Sequence, residues 1–317
     1  MKFPVFDLHC DTALALLGRD FSGQGSLRQN DGHIDLERAG RLDGYCQCFA
    51  CYTTPWKKLP GNMKVEDVFE RELAVITREV EKNADKIALA YSAQDIRDHQ
   101  ERGLMSAVLT IEGPAGFGYD PDLLENLHQI GFRISTLGWN EKNVLTGSHV
   151  TGGGLTDRGR EYVIEAQRRG IAVDVSHISD EGFWDIMDIT AAPIVASHSN
   201  SRAVWDSSRN LTDEMFHAIC QTGGVAGLNQ YTDFIGENAT LDTACDHIFH
   251  FLELDPDGTH IALGGDLDGC DTTPAGFDGV QDYPKLARRL MERGLDEAAV
   301  RRIFWDNALE VLERCSV

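Results

Sequence analysis

Histidine and carboxylate side chains stand at the ends of short apolar runs throughout this 317-residue chain. His9-Cys10-Asp11 closes the run that starts at Phe3, Glu112 closes a run from Ser106, and His177 follows Ser176. His198 lies between Ser197 and Ser199, and Asp266 opens the sequence Asp266-Leu267-Asp268. In an extended strand His9 and Asp11 point to the same face with Cα atoms about 6.6 to 6.8 Å apart, so both can reach one metal ion. If His177 and His198 end neighbouring strands, whose axes lie about 4.8 Å apart, their imidazoles can share a second ion. Glu112 has two carboxylate oxygens and could bridge the pair. Imidazole mixed with carboxylate suits Zn²⁺ and similar divalent ions. Two such ions with a bridging hydroxide would leave a positive centre able to polarise a carbonyl, and would lower the pKa of bound water from about 15.7 towards 7.

This convergence requires strands whose C-terminal ends share one rim. Eight short apolar runs alternate with segments of helical spacing: Phe3–His9, Tyr45–Tyr52, Ser106–Ile111, Phe132–Leu137, Ile171–Ser176, Pro193–Ala196, Gly224–Leu228 and His260–Leu263. Most are apolar without alternation, as in strands covered on both faces of a parallel sheet. Val65 to about Ala90 reads as the longest helix, with apolar Val65, Val68, Phe69, Leu73, Ile76 and Val80 on one side. Eight βα units predict an α/β fold of the (β/α)8 TIM-barrel type, in which functional groups gather at the C-terminal strand ends. A doubly wound open sheet would place a Gly-rich turn after the first strand, and here that strand runs into His-Cys-Asp. No linker-like or repetitive tract divides the chain. Residues 1–317 therefore read as one barrel domain with a long second crossover and extra C-terminal helices.

Composition narrows the partners. With 42% hydrophobic and 25% charged residues the chain is neither disordered nor fibrous. Its 51 Asp and Glu against 29 Lys and Arg give a formal charge of −22, which repels phosphate backbones and anionic lipid and predicts no nucleic-acid or membrane partner. Met1 to Asp11 lacks the basic flank and apolar run of a signal peptide. No stretch approaches the roughly 18 to 20 apolar residues of a membrane span. Eight cysteines without an export signal read as reduced thiols of a cytoplasmic protein. Cys46, Cys48 and Cys51 fall on the second run and read as buried thiols, the first two sharing a face. Gly152-Gly153-Gly154 lacks the Lys-Ser/Thr of a phosphate loop and reads as a flexible loop at the mouth of the site. The segment Asp20–Asp35, with three glycines, reads equally as a second loop folding over the site or as a disordered crossover.

Taken in order, seven segments resemble the membrane dipeptidase, or renal dipeptidase, family of binuclear zinc peptidases (peptidase family M19), in its bacterial form. They are FDLHCDT (6–12), IEG (111–113), GGLTDRGRE (153–161), VDVSH (173–177), IVASHSNSRAV (194–204), RNLTD (209–213) and GGDLDG (264–269). The resemblance implies a barrel of the metal-dependent amidohydrolase type that hydrolyses dipeptides, including those with a C-terminal D-residue. It implies two Zn²⁺ ions, one on His9 and Asp11, the other on His177 and His198, with Glu112 bridging. Asp266 would take the proton of the bridging hydroxide and pass it to the leaving amine. Arg209 would pair with the dipeptide's C-terminal carboxylate, for which its planar fork is suited. Tyr231 stands where the family has a substrate-contacting tyrosine. Mammalian members have a histidine at the position of Trp139, whereas Trp139-Asn140 follows the bacterial pattern. An indole has one donor and no charge, so Asn140, His149 or the zinc could supply the missing contact to the intermediate. The family also implies a homodimer.

Two alternatives stay open on sequence alone. A binuclear amidohydrolase acting on N-acyl amino acids or another small amide would keep the metals and differ in specificity. A catalytically silent barrel would act as a scaffold, and the joint presence of the five metal residues, Asp266 and Arg209 argues against it.

Overall fold

The computed structural model describes residues 3–20, 26–55 and 63–316. Among these residues nine parallel strands form one sheet: β1 (Val5–Cys10), β2 (Tyr45–Tyr52), β3 (Ile87–Leu89), β4 (Met105–Glu112), β5 (Phe132–Thr136), β6 (Ala172–Asp174), β7 (Ile194–Ala196), β8 (Val225–Leu228) and β9 (Ile261–Leu263). β1 pairs with both β2 and β9, β2 pairs with β4, and β4 to β9 follow in order, so eight strands close a ring. The expected (β/α)8 barrel is the observed fold. Each of the eight apolar runs supplies one strand of the ring.

β3 corrects one expectation. The helix expected from Val65 to about Ala90 is Val65–Lys82, and Ile87–Leu89 forms the extra strand. The apolar spacing itself stops at Val80, and Asn83 then folds its amide back onto the Glu79 carbonyl at 2.8 Å, which ends the helix. The start of β4 (Met105, Ser106, Ala107) has a free edge below the point where β5 joins at Leu109, and β3 occupies it.

Alternation along the strands divides the core. Phe6, Leu8, Cys46, Cys48, Val108, Ile134, Val195, Val225 and Ala262 fill the inside of the ring together with Trp305, whose ring lies 5.8 Å from that of Phe6. Val5, Cys51, Leu109, Ile111, Val173, Ala226 and Leu263 face the surrounding helices. Burying an aromatic side chain of this kind contributes about 2 to 3 kcal/mol. Trp305 and the helix Asn307–Cys315 plug the floor of the barrel, where the Asn307 amide donates to the carbonyls of Gly258 and Ile261 at 2.7 Å each. The opposite rim, at the strand ends, stays open to carry the site.

All eight cysteines are free, and burial pushes the Cys46, Cys48 and Cys51 thiols up, away from the thiolate form. Among the described residues no helix is long and apolar enough to cross a membrane.

Candidate metal centre

Two aspartates buried in otherwise apolar strands tie the rim together. Asp7 in β1 accepts the N–H of His9 (3.0 Å) and of Gly265 (2.9 Å) on one oxygen and the Tyr283 hydroxyl on the other. Asp174 in β6 repeats the pattern with the N–H of Ser176 (2.9 Å), the N–H of Ser197 (3.0 Å) and the Ser197 hydroxyl. Such bonds offset the desolvation of a buried carboxylate. Each aspartate locks its own strand end to that of a neighbouring strand: β1 to the segment holding Asp266, and β6 to the segment holding His198.

The turns after these strands are equally constrained. Ser179 caps the helix Asp180–Met187 by accepting the Gly182 N–H at 2.9 Å, which leaves Ile178 alone between the cap and His177. His177 takes a φ of 70° in this turn, and Asp266 takes 56° after β9. Left-handed backbone at residues other than glycine concentrates at functional sites. Glu112 ends β4, and Gly113 after it has a φ of 78°; a Cβ there would lie 2.4 Å from the Thr53 carbonyl oxygen. Only glycine lets the chain turn away from Glu112 at this point.

These constraints bring the five expected metal residues and Asp266 together. Glu112 stands between two groups, with Oε2 3.3 Å from His9 Nε2, and Oε1 3.0 Å from His177 Nε2 and 3.9 Å from His198 Nε2. His9 Nε2 is 3.9 Å from Asp11 Oδ1 and 4.0 Å from Asp266 Oδ1. The Nε2 atoms of His177 and His198 approach to 3.0 Å, and the His9 ring stacks on that of His198 at 3.7 Å between centroids. Ligand atoms of His9, Glu112 and His198, and of His9, Asp11 and Asp266, lie within 4.8 Å of one another in each group.

The donor set fits divalent cations. His9 Nε2, Asp11 Oδ1 and Glu112 Oε2 are buried and meet no hydrogen-bond partner, a costly state for polar atoms in a protein interior. On the far side of His198, the Ser197 hydroxyl gives its proton to Asp174 and so accepts from His198 Nδ1 at 2.6 Å. Behind His177, Asn140 Oδ1 accepts from Nδ1 at 2.9 Å. Both Nε2 atoms therefore present lone pairs to each other, an arrangement that a cation beside them stabilises.

The charges of the protein atoms point the same way. Burial and the Glu112 charge raise the Asp11 carboxyl well above the usual range. Burial opposes protonation of His9, but Glu112, Asp11 and Asp266 lift it to about 10. Burial and Arg209 hold His177 near 3, and burial with the His9 charge holds His198 well below its ordinary value. His177 and His198 are thus neutral ligands beside an excess of carboxylate. Burial raises Asp266 to about 6, with Glu112 adding to the rise and His9 opposing it.

Of the residues expected at the substrate, Arg209, Trp139 and Asn140 adjoin this centre, whereas Tyr231 is placed only against Phe234 and the Asn229 side chain. Arg209 is 3% exposed; its Nη1 donates to Ser199 Oγ at 2.7 Å, while Nε and Nη2, the two donors of one guanidinium edge, meet no partner. Burial lowers it to about 10. Its guanidinium carbon lies 5.7 Å from the Phe234 ring, against which Tyr231 packs edge-on at 5.1 Å. Trp139 and Asn140 line a cavity of about 270 Å³ with Glu141, Lys142 and Thr151. The Trp139 ring also packs against Tyr52 at 5.5 Å and His177 at 6.2 Å.

Several residues of the site escaped sequence reasoning. Asn229, one residue past β8, donates from Nδ2 to Asp266 Oδ2 and to the His198 carbonyl, both at 3.2 Å. Asp7, Asp174 and Ser197 hold the rim as described. A signal for the two aspartates exists, since a charged residue inside an apolar run must find partners when buried. Loop Gly152–Gly154, expected to be flexible, is pinned: the Gly153 N–H bonds Glu181, and its carbonyl accepts from Ser179 Oγ at 2.6 Å. Of the loop Asp20–Asp35, residues 21–25 lie outside the described residues. Near its other end His33 is tied to Asp268, its N–H donating to Oδ1 at 2.7 Å and its Nδ1 accepting the Asp268 N–H at 2.9 Å.

Residues 1–316 match the model of the membrane dipeptidase family, peptidase family M19. The chain is 37% identical over 217 residues to an uncharacterised dipeptidase of Schizosaccharomyces pombe, covering 66% of this chain and 53% of that relative, so it spans about half that relative's length. It is 31% identical over 261 residues to an uncharacterised Klebsiella pneumoniae protein from the pqqA 5' region, covering 78% of this chain and 96% of the other. The crystal structure of a metallopeptidase from Rhodobacter sphaeroides, liganded with a phosphinate mimic of the dipeptide L-Ala-D-Ala, is similar with a TM-score of 0.89 at 28% identity, covering 99% of this chain and 100% of that one.

Proposed function

Since the chain belongs to the membrane dipeptidase family, we propose that it hydrolyses dipeptides at a centre of two Zn²⁺ ions, including dipeptides with a C-terminal D-residue. The observation that carries this reading is Glu112, which presents one oxygen to His9 and the other to His177 and His198. The dipeptide mimic bound by the Rhodobacter sphaeroides relative supports the substrate class.

His9 and Asp11 would hold one ion and His177 and His198 the other, with Glu112 shared. When bound, the ions supply polarisation of the scissile carbonyl and an activated water. Asp266 takes the proton of the attacking water and delivers it to the amide nitrogen as the C–N bond breaks, the double role open to one positioned carboxylate. Asn229 fixes its Oδ2, which turns Oδ1 towards His9. The free Nε–Nη2 edge of Arg209 receives the substrate carboxylate in a bidentate pair. Trp139, Asn140 and Tyr231 border the space for the substrate side chains. The partners in this proposal are small dipeptides; a homodimer and a cytoplasmic location belong to it as well.

One assay tests the substrate class against the N-acyl amino acid alternative. A panel of L-L and L-D dipeptides, their C-terminal amides and N-acyl amino acids is expected to show turnover of the free dipeptides and poor use of the amides. Arg209→Ala is expected to raise KM for free dipeptides about 10- to 150-fold, the value of hydrogen bonds between charged groups, with a smaller change in kcat. Preference for N-acyl amino acids overturns the dipeptidase reading, and an unchanged KM in Arg209→Ala removes that arginine from carboxylate binding.

A further inference from the structure

Behind His177 lies a group of polar side chains, Asn140, His149 and Ser208, to which the proposed reaction gives no chemical step. The two nitrogens of an imidazole sit on opposite edges of the ring. Asn140, which meets Nδ1 at 2.9 Å, is therefore across the ring from Nε2, which faces Glu112 Oε1 at 3.0 Å. Asn140 Oδ1 also meets His149 Nε2 at 2.8 Å, and His149 Nδ1 meets Ser208 Oγ at 3.0 Å.

One assignment of protons satisfies all three contacts. Asn140 Oδ1 carries no proton, so both imidazole nitrogens facing it are N–H groups. His149 then has its lone pair at Nδ1, where the Ser208 hydroxyl donates. The main chain adds a second tie, the His149 N–H donating to the His177 carbonyl at 2.9 Å.

We propose that Asn140 is a positioning residue for the second metal site, orienting the His177 ring and fixing Nε2 as its ligand atom, with His149 and Ser208 holding Asn140 in turn. The proposal rests on the two-metal reading above. It gives Asn140 a task away from the substrate even though the residue also lines the adjoining cavity. His198 has its own support in Ser197 and Asp174, and His9 and Asp11 make no contact with this relay. Loss of Asn140 should therefore weaken one ion and spare the other.

The test counts zinc. The zinc-loaded full chain is challenged with increasing chelator and the zinc retained per chain is measured for the parent, Asn140→Leu, Asn140→Asp and His149→Phe. The parent should retain two ions. Asn140→Leu should release one of them about 10- to 100-fold more readily, the usual effect of losing a partner behind a metal-bound histidine, and hold the other like the parent. Asn140→Asp keeps an acceptor oxygen in place and should restore retention. His149→Phe should show a smaller loss of the same ion, and that loss should not add to the effect of Asn140→Leu, because both act through one contact. In cobalt-substituted protein the visible absorption of one ion, not both, should change. Parental retention of both ions by Asn140→Leu overturns the proposal, as does equal loss of both ions. If Asn140→Leu does not fold, His149→Phe decides: unchanged retention of both ions overturns the proposal. A parent that retains fewer than two ions overturns the metal reading itself, and so is distinct from failure of the relay.

Discussion

Replacing Asp266 by asparagine is expected to lower kcat on dipeptides by about 100- to 10,000-fold, the usual contribution of a positioned acid–base group, while the protein keeps its metal. The variant suits the site because asparagine accepts the left-handed backbone that Asp266 adopts at a φ of 56°, and because its side-chain oxygen can still accept from Asn229 Nδ2. What disappears is the ability to take a proton from the attacking water and return it to the leaving amine. Steady-state kcat measured together with zinc content checks this. Near-parental turnover with full zinc would remove Asp266 from the reaction, and loss of zinc would make it a ligand instead.

Glu112→Gln should be at least as damaging, by a different route. The amide retains one oxygen, so the two sides of the site no longer each meet a carboxylate oxygen, and a donor NH₂ faces either His9 or the pair His177 and His198. Zinc retention is expected to fall more than about 100-fold for at least one ion, beyond the cost of losing an outer partner. The kcat/KM should fall by about three decades, the equivalent of several kcal/mol of charge stabilisation. The metal-free variant should also be less heat-stable than the metal-free parent: burial opposes the Glu112 charge, but His9 and His177 hold the carboxyl well below the usual range, and the substitution leaves the buried, protonated His9 without that partner. Zinc retention and the Tm of both metal-free proteins check the pair of claims. Parental zinc retention would remove Glu112 from the metal centre, and an unchanged metal-free Tm would show that Glu112 and His9 do not pair in the empty site.

The barrel was legible because its strands are apolar on both faces and their ends carry the polar residues, so the runs stand out against the helices. β3 was not, because an apolar triplet after a helix carries no period of its own; the free edge of β4 makes it a strand. The metal residues were legible as types at strand ends. Their support was less so. Asp7 meets Tyr283 across nearly the whole chain, a pairing that local sequence does not encode. Asp7 and Asp174 could have been found as charges inside apolar runs, yet their partners could not. The place of His149 behind His177 was not legible, because it lies in a loop. It reaches the site because Ser148 pairs with Ile178 beside His177 and brings the loop back onto the rim. Asn229 resembles any polar residue at a strand end until its contact with Asp266 is known.

The central claim, a two-metal dipeptidase, is tested most directly by stripping the zinc with chelator, then adding Zn²⁺ back in steps while hydrolysis of L-Ala-D-Ala is followed. Activity should rise mainly with the second equivalent and level off at two ions per chain. Full activity at one ion per chain, or no dipeptide hydrolysis with two ions bound, would contradict it.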